Sequence, residues 1–303
     1  MNMLSPHLSE RCRELAHPDV FQFSVSVFIV VGILVSYLPQ HYKIISRRSS
    51  AGLSPMFVLL GTVSGTASIA NILTLPESTR DMACCKDIGR FPCTAALLGV
   101  TQIGVQWTCF FFIMLLFLIF FPRNAPDNME EDNSDIPTWK EAILVLAFSL
   151  FFFIFALLGS IVFAYPLHDH IRKWANFLGV LASLLAAIQY LPQIYTTWCL
   201  QQIGSLSVPM MCIQTPGSFV FASSLAARLG PAGWSTWGLF ILTGCLQGCL
   251  LTMCLWFMWR DRAQKKTADT NSNPTLAPNR GAQNGGVHEQ TPLLSNGSAS
   301  QES

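Results

Sequence analysis

Charge is what this 303-residue sequence lacks. Only 12% of its residues are charged, while 51% are apolar; a soluble domain carries about 25% charged residues. The deficit is concentrated in seven stretches, over residues 20–42, 53–75, 95–121, 142–165, 174–195, 207–227 and 234–259, that contain no Asp, Glu, Lys or Arg at all. About 20 apolar residues suffice for a helix to cross the hydrocarbon of a bilayer. A soluble core does not supply seven such runs, so the chain reads as a polytopic membrane protein. A net charge of +1 removes a nucleic-acid surface as its main role. The ten cysteines form no CxxC pair, which removes a zinc or redox site of that type. HExxH and GxSxG are also missing, and histidines number six, so neither enzyme chemistry nor a cofactor is expected. No small-x-small cleavage site follows the first apolar run, which is expected to be the first span rather than a signal peptide.

What the sequence does contain is a duplication. Tyr37-Leu38-Pro39-Gln40-His41-Tyr42 ends one apolar run, and Tyr190-Leu191-Pro192-Gln193-Ile194-Tyr195 ends another. The same offset aligns Leu53-Ser54 with Leu206-Ser207, and Gly99-x-x-Gln102 echoes Gly244-x-x-Gln247. Three spans precede residues 142–165 and three follow them. An odd span between two triplets gives both triplets the same orientation, which makes a parallel repeat. The expected fold is therefore all-α: a seven-helix bundle of two three-helix repeats, residues 20–121 and 174–259, joined by a linker helix at 142–165 (3+1+3). Residues 1–19 form an extramembrane N-terminus. Residues 122–141 form an acidic loop centred on Glu130, Glu131 and Asp132, and residues 260–303 form a disordered polar tail.

Proline inside a helix removes a backbone hydrogen bond and clashes with the carbonyl one turn earlier. In lipid the freed carbonyl needs a partner or a wet cavity. One such proline could simply end a helix at the membrane surface. Two in equivalent places, each followed by glutamine, read as hinges at Pro39, Gln40, Pro192 and Gln193. Here the sequence resembles the PQ-loop membrane proteins, on the two Tyr-Leu-Pro-Gln segments and on Gly52-Leu53-Ser54 with Ser205-Leu206-Ser207. That family includes the lysosomal cystine exporter cystinosin and vacuolar or lysosomal cationic amino-acid exporters; SWEETs and KDEL receptors share the fold. The resemblance covers about residues 20–260. It implies two triplets rocking about a central cavity, with the prolines allowing helices to bend.

One departure matters. Proton-coupled members use an acidic residue near the transport path, and none of the seven stretches contains Asp or Glu. Glu77, Glu141 and Asp169 fall only at span ends. The polar groups inside are neutral: Asn71, Gln102, Gln106, Gln189, Gln214, Thr215 and Gln247. Asn71, Gln102, Gln189, Gln214, Thr215 and Gln247 are the candidates for lining a substrate path, although amides also serve simply to join helices. Pro216-Gly217 marks a second break, in the sixth span, where the chain is expected to unwind. Gly61-x-x-x-Gly65 and Gly244-x-x-x-Gly248 suit close helix packing.

Basic clusters without acids (Lys43, Arg47 and Arg48; then Arg260, Arg262, Lys265 and Lys266) favour a cytosolic first loop and tail. Cys84, Cys85 and Cys93 share one loop on the opposite side with Cys12, a set able to pair if that side is oxidising. In the tail, Glu289 followed by Leu293-Leu294 fits an acidic dileucine signal read by cytosolic sorting adaptors. Asn296-Gly297-Ser298 fits a glycosylation sequon, which stays unmodified on a cytosolic tail. The expectation is a transporter of small polar solutes, amino acids first, in the vacuolar or lysosomal membrane. The alternative is a receptor, trafficking or lipid-handling factor on the same fold.

Overall fold

The computed structural model describes residues 6–50, 53–121, 139–201 and 208–271. They are all-α. A short helix α1 (Pro6–Leu15) precedes the first long helix, α2 (Val20–Arg47), whose Asp19 side chain caps the Phe21 N–H at 2.9 Å. Then come α3 (Pro55–Thr74) and two short helices, α4 (Pro76–Cys84) and α5 (Arg90–Ala96). The remaining long helices are α6 (Leu98–Ile119), α7 (Trp139–Ala164), α8 (Ile171–Leu200), α9 (Val208–Leu229) and α10 (Trp234–Asn271). The chain divides after Arg260 into two units. Of the second, the described part is the helical segment up to Asn271.

Six of these helices are long and apolar enough to cross a membrane, and the protein is a multi-pass membrane protein. The sixth expected span, now α9, falls outside that set. Its Gln214, Thr215, Ser218, Ser223, Ser224 and Arg228 dilute its apolar residues.

Helix ends differ from the sequence reading in instructive ways. The hydrophobic runs end at 42 and 195, but α2 and α8 continue to Arg47 and Leu200. A helix does not stop at the membrane surface merely because its composition changes. The third span was expected from residue 95; instead Leu97 (φ −86°, ψ 0°) breaks the chain between α5 and α6. The loop over residues 76–94 holds α4 and most of α5. Helix α10 continues past Trp259 to Asn271, where a disordered tail was expected.

Helix α3 is the hub, packing on α6, α7 and α8. Its sequence explains why. Gly61, Thr62, Ser64, Gly65, Thr66, Ala67 and Ser68 give it a surface of small side chains, and small residues let helices approach where no hydrophobic force between helices operates. A Cβ on Gly61 would strike the Phe110 ring of α6, and Gly65 faces Trp107. Gly244 and Gly248 of α10 are likewise covered by Ser218, Phe219 and Thr215 of α9. Both Gly-x-x-x-Gly faces therefore serve packing within the chain. The main core joins both halves through Ala67 and Ile72 of α3, Ala175 and Leu178 of α8, and Leu225 of α9. Helix α7 is the opposite case: Leu144, Phe151, Ile154 and Leu158 are exposed, as lipid-facing side chains are.

Candidate functional site

Both motif prolines lie inside their helices, and each helix runs eight residues further (39 to 47, 192 to 200). The helix-terminating role for these prolines is thereby excluded. Tyr37 of the first motif lies within electrostatic range of Tyr190 of the second. Around Tyr37, the His41 ring stacks at 6.3 Å and Phe110 meets it edge-on at 6.4 Å. His41 Nε2 pairs with the Cys109 carbonyl of α6 at 3.0 Å. From the second repeat, Gln189 donates to the Phe57 carbonyl of α3 at 3.5 Å, a long contact across the halves. Gln40 and Gln193 are half-buried beside their exposed prolines.

A second polar group sits between α9 and α10. Gln247 donates to Gln214 Oε1 at 2.8 Å, and the adjacent Thr215 hydroxyl is buried with no hydrogen-bond partner. An orphan hydroxyl in such a place is costly unless something else bonds it. The expected unwinding at Pro216-Gly217 is not found: α9 is helical throughout. Ser218 donates to the Thr215 carbonyl at 2.7 Å, so side-chain hydroxyls service the backbone around the break.

Asn71 and Gln102 have a different situation. Asn71 is buried, and its Nδ2 donates to the Ala175 carbonyl at 2.6 Å and to Ser235 Oγ at 3.1 Å, while its Oδ1 accepts from Thr236. One amide thus fastens α3, α8 and α10. Gln102 is fully buried and donates to the Ser26 carbonyl of α2 at 3.0 Å. In this conformation both join helices.

Two cavities stand out. A cleft of about 160 Å³ between α2 and α9 is lined by Phe21, Gln22, Val25, Val220, Ser223, Ser224 and Ala227. A small pocket of about 10 Å³ lies among Ser78, Asp81, Gly99, Leu225 and Arg228. Neither is lined by the six amide and hydroxyl candidates chosen from the sequence.

Sequence reasoning missed the charges at the end of the bundle that carries α1, α4 and α5. Arg11 Nε and Nη2 reach Asp81 at 3.0 and 3.3 Å. Arg172 of α8 pairs with Glu77 of α4 at 2.7 Å. Asp81 also holds the Arg11 guanidinium above its ordinary pKa, chiefly through their hydrogen bond. The partners are 70 and 95 residues apart, so no local pattern reveals them. Two disulfides, Cys12–Cys84 and Cys85–Cys93, lie at the same end. His168, Asp169 and His170 form an exposed single turn there. The sorting candidates Glu289, Leu293 and Leu294, the sequon at Asn296 and residues 122–138 of the expected acidic loop fall outside the described residues; the last three of that loop, Trp139, Lys140 and Glu141, instead begin α7.

A PQ-loop repeat matches this chain twice, over residues 22–79 and 174–234, and each match contains one of the proline motifs. The chain belongs to the PQ-loop repeat family. It is also 32% identical over 257 residues to the uncharacterized protein C4C5.03 of Schizosaccharomyces pombe, an alignment covering 80% of this chain and 83% of that protein.

Proposed function

We propose that this PQ-loop protein is a transporter of small polar solutes, amino acids foremost, acting in a vacuolar or lysosomal membrane by alternating access of its two repeats. The observation that carries the reading is the packing of α8 on α3 across the halves, with Gln189, three residues before Pro192, donating to the Phe57 carbonyl. It sets the second proline-bearing helix against the first repeat where the halves meet, so that a bend at Pro192 changes the seam between them. In this reading α9 also crosses the membrane as the sixth of seven spans, α7 links the triplets in a 3+1+3 order, and Pro39, Gln40, Pro192, Gln193, Pro216 and Gly217 supply the flexible points. Gln189, Gln214, Thr215 and Gln247 are the neutral groups that meet solute as the seam opens. Asn71 and Gln102 join them only if the helices they fasten separate.

Disulfides persist where the compartment is oxidising. The two bridges support a lumenal α1–α4–α5 end and a cytosolic end bearing Lys43, Arg47 and Arg260. A cytosolic tail in turn makes Glu289, Leu293 and Leu294 available to a sorting adaptor.

One observation favours a second reading, a receptor or trafficking factor: neither cavity is lined by the chosen polar groups. Uptake of a panel of labelled amino acids into sealed proteoliposomes separates the two. Saturable uptake that disappears in Pro192→Leu supports transport. No uptake of any solute, with protein sorting altered in a deletion strain, overturns it.

A further inference from the structure

We infer that Arg11, Asp81 and Arg228 form a charge lock that holds the disulfide-bearing mouth of the bundle shut, with α1 as its strap. Arg11 grips Asp81 with two nitrogens and, through Nη2, also donates to the Arg228 carbonyl at 3.3 Å. The Arg228 guanidinium reaches back from α9, donating to the Ala95 carbonyl at 2.6 Å and to Ser26 Oγ at 2.8 Å. Two arginines thus tie α9, from the second repeat, to α1, α2, α4 and α5. Asp81 is buried, and removing either partner of a desolvated ion pair leaves a charge without compensation.

The strap is covalent. Cys12, next to Arg11 in sequence, is bonded to Cys84 at the end of α4. The bond keeps the Arg11 fork within reach of Asp81, one turn earlier on the same short helix. Glu77 at the start of α4 pairs with Arg172 of α8, a second charged tie between repeats at this mouth. The opposite end is different. There the Arg260 guanidinium meets Gln201 within the second repeat, and Gln189 reaches the Phe57 carbonyl across the halves through a long, neutral bond. The Glu77–Arg172 ion pair and the Arg11 and Arg228 guanidinium bonds that cross between the repeats therefore gather at this mouth, where they oppose its opening.

The purpose of the lock rests on the alternating-access reading, but its closure can be measured without any solute. Leu225 lines the small pocket behind Arg228 and is fully buried. Full-length Leu225→Cys protein in nanodiscs is exposed to a membrane-impermeant maleimide, and labelling at position 225 is followed by peptide mass spectrometry. Labelling is expected to be slow in that parent, and at least tenfold faster when Asp81→Asn, Arg11→Gln or the Cys12→Ser/Cys84→Ser pair is added. Glu14→Gln, which removes only the exposed 3.4 Å contact to Arg11, is expected to change nothing. Unchanged labelling in Arg11→Gln overturns the lock; this variant alters only α1, so it decides the matter even if Asp81→Asn fails to fold. An equal rise in Glu14→Gln overturns it too. Absent flux with the expected labelling pattern sinks the transporter reading alone.

Discussion

Arg48 and Gln201 close their helices in the same way: both are non-glycine residues in the left-handed region, at φ 46° and 49°. They stand at the spacing that separates Pro39 from Pro192, so the duplication extends to backbone geometry at the helix ends. An L-residue in this region costs about 1–2 kcal/mol, which glycine avoids. Arg48→Gly is expected to stabilise the protein by up to about 1 kcal/mol, and Arg48→Val to destabilise it, in thermal unfolding of detergent-solubilised protein. Gln201→Gly is expected to gain less, because the Gln201 side chain accepts from Arg260 at 2.6 Å. A lower melting temperature in Arg48→Gly would remove the argument.

Gly179 marks a close approach between α8 and the backbone of α10. A Cβ there would lie 2.6 Å from the Ser235 carbonyl and 2.9 Å from the Asn71 amide. Backbone cannot swing aside as a side-chain tip can, and overpacking of this kind costs about 1–3 kcal/mol. Gly179→Ala should therefore lower the unfolding temperature by several degrees. Gly32→Ala, where nothing lies within 4 Å of the added methyl, should be neutral or mildly stabilising. Equal melting temperatures for the two variants would refute the packing argument.

The repeat, the all-α class and the membrane-spanning runs were legible because each is a local or periodic property. Seven charge-free stretches announce apolar helices, and a twice-written Tyr-Leu-Pro-Gln announces duplication wherever the chain goes. What was not legible depends on tertiary partners. Nothing near Asp81 foretells Arg11, 70 residues away, or the Arg228 carbonyl that Arg11 also reaches. Asn71 looked like a lining residue because an amide inside a span has the same letter whether it faces solute or three helices. Pro216-Gly217 reads as a break in any sequence. Here the break is absorbed, with Ser218 bonding the Thr215 carbonyl. The disulfide partners were narrowed to four cysteines, but their pairing depended on where α1 docks.

Asn71 and Gln189 can be told apart by experiment. Asn71→Leu strands the Thr236 hydroxyl inside the bundle and removes the amide's bonds to the Ala175 carbonyl and to Ser235 Oγ, which keeps its bond to Asn176. Interhelical hydrogen bonds in membranes are worth about 0.6–1.7 kcal/mol each, so the loss should approach 2–3 kcal/mol. Gln189→Leu gives up one 3.5 Å contact and should cost under about 0.5 kcal/mol. If Gln189 meets solute, its variant keeps the parent melting temperature while uptake falls. If Asn71→Leu unfolds no more easily than the parent, its role as the fastener of α3, α8 and α10 is refuted.

The prolines provide the test in which stability and function move in opposite directions. Pro39 leaves the Val35 carbonyl without its helical donor, and Pro192 does the same to Ile188. Substituting leucine restores the N–H and the i to i−4 bond, and the helix already continues on both sides. Pro39→Leu and Pro192→Leu should therefore unfold at the parent temperature or above it, since membrane helices tolerate proline only where the freed groups find other partners. If bending at these points opens the seam between the halves, the same variants lose uptake while remaining folded. Retained uptake in both would show that the seam opens without these bends. Loss of uptake together with a collapsed melting temperature would instead make the prolines packing residues, because a straightened helix would no longer fit against α6 and α3.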